Sequence, residues 1–272
     1  MGLRVNTNVA ALTSQRNLGA VTSRLQGNFS RLSSGLRIAT AADDAAGLGI
    51  SERMRGQIRS YTVAMRNAQD GVSLAQTAEG ALQEVSNNLT RMRELAVQAS
   101  NGTLTTTDRA TLDTEFQALI TEIGRVSSET SFNGVTLLDG TTTSLSIQVG
   151  IDANQTIAVS LSDMTSTTLG VNGEDVTSAS NASSAIAAID AAIDDVTEAR
   201  GDLGASTNRM TSAIASILNT RDNLSAAESR IRDVDIATET SDLTRNSILQ
   251  QAAISVLAQA NVQPSLALQL LG

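Results

Sequence analysis

Fourteen apolar or small residues recur on one stripe of a single segment: Met54, Ile58, Tyr61, Met65, Ala68, Val72, Ala75, Ala78, Leu82, Val85, Leu89, Met92, Ala96 and Ala99. They span 45 residues in 13 steps, about 3.5 residues per step, the repeat of a coiled-coil seam rather than of a straight helix. The stripe predicts one helix from Asp44 to Ser100, on the order of 85 Å long at about 1.5 Å per residue. A helix of that length needs a partner of similar length, and the C-terminal half supplies one. Ile186, Ile189, Ile193, Val196, Ala199, Leu203, Met210, Ile214, Ile217 and Leu224 form a second stripe, expected to pair antiparallel with the first.

Asn101 to Thr107 reads as a turn, followed by a shorter helix over Asp108 to Ser128 with Leu112, Phe116, Leu119 and Ile123 inward. The period then changes. Leu145, Ile147 and Val149, and later Ile157, Val159 and Leu161, alternate with polar residues as half-buried strands do. From Thr141 to Ser184, 17 of 44 residues are Ser or Thr, and this stretch is expected to be loop-rich surface. At the ends of the chain, Leu18, Val21, Leu25, Phe29, Leu32 and Leu36 form one helical stripe, and Ile236, Leu243, Ile254 and Leu257 lie on another. The expected fold is mainly α: an elongated antiparallel helical bundle or coiled coil with a small β-hairpin excursion, its N- and C-terminal helices paired.

Composition narrows the chemistry. The chain has no Cys and no His, and all 19 basic residues are Arg, so the usual general base, thiol nucleophile and Schiff-base amine are absent. Carboxylates, hydroxyls and Arg remain, which argues against an enzyme and calls for no cofactor or metal. Residues 1–66 carry nine Arg against Asp43, Asp44 and Glu52, whereas the whole chain has net charge −9. The Arg residues are dispersed and no aromatic residues interleave with them, so they read as a polar helix face and not as a nucleic-acid site. Asp190, Asp194, Asp195 and Glu198 read as a solvated face opposite Ile186, Ile189 and Ile193. RLSSGLRIATAADDAAG reads as a helix stop at Gly35 and a new start near Asp43 and Asp44, because it lacks the spacing of a phosphate loop.

The last 27 residues, Asn246 to Gly272, contain no charged side chain, yet Gln250, Gln251, Gln259, Asn261, Gln263, Pro264 and Gln269 interrupt them. That stretch is too polar to span a membrane. It is an interface helix whose apolar surface requires cover. MGLRVNTNVAALTSQRNLG lacks the apolar run of a secretory leader.

Several motifs resemble those of bacterial flagellin, the subunit of the flagellar filament. In the N-terminal half they are VNTNVAAL (Val5 to Leu12), RLSSGLRI (Arg31 to Ile38), DDAAGLGIS (Asp43 to Ser51), RNAQDGVSLAQTAEGAL (Arg66 to Leu82), RMRELAVQAS (Arg91 to Ser100) and FNGVTLL (Phe132 to Leu138). In the C-terminal half they are LGASTNRM (Leu203 to Met210), ESRIRDVDIATE (Glu228 to Glu239) and ILQQAAISVLAQAN (Ile248 to Asn261).

The resemblance implies an extracellular, self-assembling structural subunit for swimming motility, exported through the flagellar secretion channel. It is a short form, with only about 45 residues where larger members carry outer variable domains. The implied organisation places 1–43 and 229–272 in an inner core domain of terminal helices. Residues 44–180, with a hairpin near 131–165, and 181–228 form an outer bundle domain. Implied partners are many copies of the same chain, the export machinery and a secretion chaperone, and the filament cap and hook-junction proteins. The expected inter-subunit core is Leu25, Phe29, Leu32, Leu36, Ile248, Leu249, Ile254, Leu257, Leu266 and Leu270. By motif match, Arg91, Leu95 and Glu115 correspond to contacts for the innate flagellin receptor of animal hosts. A hook–filament junction protein of related sequence is the close alternative, and a secreted helical membrane-inserting protein is the distant one.

Overall fold

A computed structural model describes residues 7–269, with side chains placed through Val262. The described residues form five helices, with two small strand pairs between the third and the fourth: α1 (Val9–Ser34), α2 (Ala45–Ala99), α3 (Thr106–Glu129), β1 (Ser131–Phe132), β2 (Val135–Thr136), β3 (Ser144–Gln148), β4 (Thr156–Ser160), α4 (Ala179–Arg232) and α5 (Ile236–Gln269). The chain divides into two compact units. One is built from its two ends, up to Gly56 and from Asn223; the other is Gln57–Asp222.

In the Gln57–Asp222 unit, stretches of α2 and α4 run antiparallel. Arg93 on α2 pairs with Asp190 on α4 (2.6 Å), and Glu79, earlier on α2, pairs with Arg200, later on α4 (2.8 Å). Between them Leu82, Val85, Leu89, Met92 and Ala96 of α2 are buried with Ala182, Ala185, Ile189, Ala192 and Val196 of α4. Of the stripe predicted for the C-terminal half, Ile189, Val196, Ala199, Leu203, Met210 and Ile217 are buried, and the difference lies beside Ile186 and Ile193. Ala185 and Ala192 sit at the centre of the seam while Ile186 and Ile193 are only half-buried, because alanine lets two backbones approach and the larger side chains flank the contact.

α3 closes this core with Phe116, Ile120 and Ile123. Its start is determined locally by a capping box, in which the Thr105 side chain accepts from Asp108 N–H and the Asp108 carboxylate accepts from Thr105 N–H. The Thr105 hydroxyl also donates to the Asp108 carboxylate (2.7 Å), and this bond, with the one from Thr105 N–H, holds Asp108 below the ordinary carboxylate range. Arg109 then donates to the carbonyls of Ala99 (2.8 Å) and Asn101 (2.9 Å), which satisfies acceptors at and just beyond the end of α2.

The strands come as two hairpins, not one. β3 and β4 pair antiparallel with Leu145 opposite Val159 and Ile147 opposite Ile157, matching the alternation in the sequence. β1 and β2 are joined by Asn133 and Gly134, both with positive φ (50° and 80°), the two-residue turn that Asn-Gly favours. The hydroxyl-rich stretch is also less superficial than expected. Leu161, Met164, Leu169, Val171 and Val176 are buried in the helical core, and Val176 N–H donates to Asp113 Oδ1 at 3.0 Å. The loop's Ser and Thr residues serve largely to turn the backbone, as where Asp163 accepts from Thr165 N–H and the Thr168 hydroxyl, so that its few aliphatic residues reach inward.

In the unit of chain ends, Gly35 stops α1 in the left-handed conformation (φ 71°), and Asp44 accepts from the N–H groups of Ala46 and Gly47 at the start of α2. Val234 N–H donates to Gly35 O (3.0 Å) and Arg37 N–H to Arg232 O (2.7 Å), so the two connections are tied in one antiparallel bridge. Glu52 and Arg232 pair at 2.6 Å beside it.

Gly71 marks the closest approach inside the Gln57–Asp222 unit. A Cβ there would stand 2.6 Å from Met210 Sδ and 3.1 Å from Ile147 Cγ1, so α2, α4 and β3 meet where only hydrogen fits. Gly71→Val is expected to destabilise this unit by about 1–3 kcal/mol through overpacking, read as a lowered unfolding midpoint in urea with unchanged helix content before the transition.

Candidate functional site

α1 and α5 pack antiparallel on each other, and among the described residues neither has another helix along most of its length. Each buries only a narrow stripe. Leu25, Leu32, Leu36 and Leu257 are half-buried, whereas Phe29 is 56% exposed, Ile248 60%, Ile254 53% and Leu249 43%. Ile236, Val256, Val9 and Leu12 are exposed as well. Of the remaining expected interface residues, Leu266 lies beyond the described side chains and Leu270 outside the described residues.

The helix pair has a polar centre that periodicity did not reveal. Asn28, 6% exposed, donates from Nδ2 to the Glu239 carboxylate and accepts at Oδ1 from Asn246 Nδ2 (2.8 Å); Glu239 is 7% exposed, with Arg31 3.8 Å away. The sequence stripe placed Phe29 inward. The structure turns Asn28 inward and Phe29 out, a rotation of about 100° about the helix axis per residue. Val21, Leu25, Asn28 and Leu32 are spaced 4, 3 and 4, so a heptad reading that admitted a polar member would have found it.

The residues matched to a receptor surface divide. Arg91 and Glu115 are exposed and form an ion pair between α2 and α3 at 2.8 Å, with Glu94 also bound to Arg91 at 2.9 Å. Leu95 is 1% exposed and belongs to the core, so its side chain supports that surface from beneath instead of forming it. The acidic face of α4 holds no group of three or more carboxylates arranged for a metal ion among the described residues. Its Asp190 is taken by Arg93, whose hydrogen bond holds that carboxyl below the ordinary range. No described helix is long and apolar enough to cross a membrane.

A helical protein whose two chain ends pair while leaving large aliphatic side chains exposed has the form of an assembly subunit with an interaction surface. The comparisons give the family. Residues 5–143 match the bacterial flagellin N-terminal helical region and residues 186–271 the bacterial flagellin C-terminal helical region. The chain is 49% identical to a flagellin of Halalkalibacterium halodurans over 98% of this chain and 99% of that one. It is 46% identical to a Bacillus subtilis flagellin over 99% and 100% of the two chains. The crystal structure of Bacillus cereus flagellin superposes with a TM-score of 0.51 at 33% identity, covering 60% of this chain and 94% of that one. The chain belongs to the flagellin family. It is an extracellular structural subunit of the bacterial flagellar filament.

Replacing Asn28 by Ala removes the shared partner of two side chains, leaving the Glu239 carboxylate and the Asn246 amide each short of a hydrogen bond. The expected cost is about 1–3 kcal/mol. The double variant Asn28→Ala, Glu239→Ala should cost less than the two single changes together, measured as a coupling energy in thermal dissociation of assembled filaments.

Proposed function

We propose that the uncovered faces of α1 and α5 form the inter-subunit layer at the centre of the filament, with Leu25, Phe29, Leu32, Leu36, Ile248, Leu249, Ile254, Leu257, Leu266 and Leu270 as its core. The observation that carries this reading is the exposure of Phe29, Ile248, Ile254 and Val256 on a pair of helices with no other cover among the described residues. Large aliphatic side chains exposed together on one helix pair mark an interaction surface. A surface used head to tail generates an open helical polymer rather than a closed dimer. In this reading residues 1–43 and 229–272 are the inner core domain, and residues 44–180 and 181–228 the outer bundle.

The same surface accounts for the other partners. Before assembly an uncharged tail requires a secretion chaperone and delivery through the flagellar export machinery. At the two ends of the polymer it meets the cap and the hook-junction proteins. The absence of His, Cys and Lys supports a protein without enzymatic activity. Polar interruptions in the tail and the scattered Arg residues support neither membrane insertion nor nucleic-acid binding. Arg91 and Glu115, held together on an exposed face, support recognition of the monomer by the innate flagellin receptor of animal hosts. Leu95 serves there by fixing the helix beneath them.

Deleting Asn246 to Gly272 should leave a folded Gln57–Asp222 unit, with its helical circular dichroism and cooperative transition, but no filaments by negative-stain electron microscopy. Filaments from the truncated chain would refute the assignment. For the receptor surface, an Arg91→Ala, Glu115→Ala variant should lose most of the signal that monomer elicits in a receptor reporter cell line; equal signalling would remove that role.

A further inference from the structure

Pro264, the only proline in the chain, stands inside α5. A helical residue at that position would donate its N–H to the carbonyl four residues earlier, at Ala260, and proline has none to give. Ala260 is 7% exposed, so water is a poor substitute. The missing donor comes from the other end of the chain: Asn8 Nδ2 donates to Ala260 O at 2.7 Å. The same amide caps α1, its Oδ1 accepting from Ala11 N–H at 3.0 Å. The two contacts leave no ambiguity in the orientation of the amide, since a carbonyl demands the NH2 and an N–H demands the oxygen.

We infer that Asn8 and Pro264 are a matched pair that sets the axial register of α1 on α5: proline opens one carbonyl in the interior of the helix, before its last turn, and the cap residue of α1 fits there. The need for such a device follows from α5 itself. Its aliphatic residues at 248, 249, 254, 256 and 257 point in several directions around the helix, so apolar packing alone permits more than one register. The Asn28–Glu239–Asn246 cluster pins the helices at one point, and the Asn8 contact, 20 residues away on α1 and about 30 Å along it, pins them at a second. With two fixed points the pair cannot slide or rotate. Its outward pattern of apolar residues is thereby constant from subunit to subunit, as a repeating lattice requires.

The inference rests on the terminal helix pair being the inter-subunit layer, and the test separates the two. In the full chain, Asn8→Asp keeps an oxygen to cap Ala11 but faces Ala260 O with a second oxygen. Asn8→Ser keeps a cap but is too short to reach. Both should raise the critical concentration for filament assembly, Asn8→Asp by about tenfold, the factor carried by one buried hydrogen bond. Pro264→Ala restores the intrahelical N–H, so this variant should assemble. In its background both Asn8 changes should alter the critical concentration by less than about twofold, aspartate being as good a cap as asparagine. Equal penalties in the two backgrounds, no penalty in either, or failure of Pro264→Ala alone to assemble would each overturn the inference. The chain truncated after Arg245 is the control for the underlying reading. If it assembles, the layer assignment fails, and the same variants are then compared by thermal unfolding of the monomer, where dependence of the Asn8 effect on Pro264 still decides whether the two are coupled.

Discussion

One helix laid against one other helix buries a single stripe of each, and this geometric limit governs both units of the chain. In the Gln57–Asp222 unit the limit is overcome by adding layers: α3, the two hairpins and the aliphatic residues of the 161–176 loop cover what α2 and α4 leave open. The result is a core in which Leu82, Val85, Leu89 and Met92 are fully enclosed. Among the described residues α1 and α5 lack those extra layers, and their aliphatic side chains remain outside. In the proposed assembly neighbouring subunits cover them, and an intramolecular limit becomes a driving force for polymerisation.

Where apolar packing is generic, polar groups supply the specificity. Asn28, Glu239 and Asn246 hydrogen-bond inside the helix pair at a point where leucines would have packed with less constraint on register. Such buried polar contacts cost desolvation and gain definition, because any shifted arrangement leaves them unpaired. Ion pairs on exposed helix faces, such as Arg91 with Glu115 and Arg93 with Asp190, contribute little stability in water. They orient the helices of the Gln57–Asp222 unit without competing with its apolar seam.

Much of this architecture is legible in the residues. The seam from Met54 to Ala99 lies on α2, the stop at Gly35 and the start beyond Asp44 fall where left-handed glycine and a capping carboxylate place them, and the alternation at Leu145 to Leu161 marks β3 and β4. The first hairpin has no alternation to announce it, and only its Asn133-Gly134 turn carries a signal. The 161–176 loop was not legible, because Ser and Thr density suggests exposure while the burial is carried by isolated Leu, Met and Val residues with no period to detect.

Periodicity and composition by themselves determined that the chain is helical, that its ends pair, that catalysis lacks its usual side chains, and that the C-terminal stretch carries no charge. Motif order pointed to flagellin. Those properties depend on neighbours within a few turns of the same helix, where spacing is a sufficient guide. Only the tertiary structure decided which of Asn28 and Phe29 faces inward, that Leu95 is core, and that the Asn8 amide meets Ala260. Each is a choice of helix rotation or register made by contacts more than 200 residues apart for the terminal pair. A local pattern that repeats every three or four residues cannot distinguish one such choice from the next.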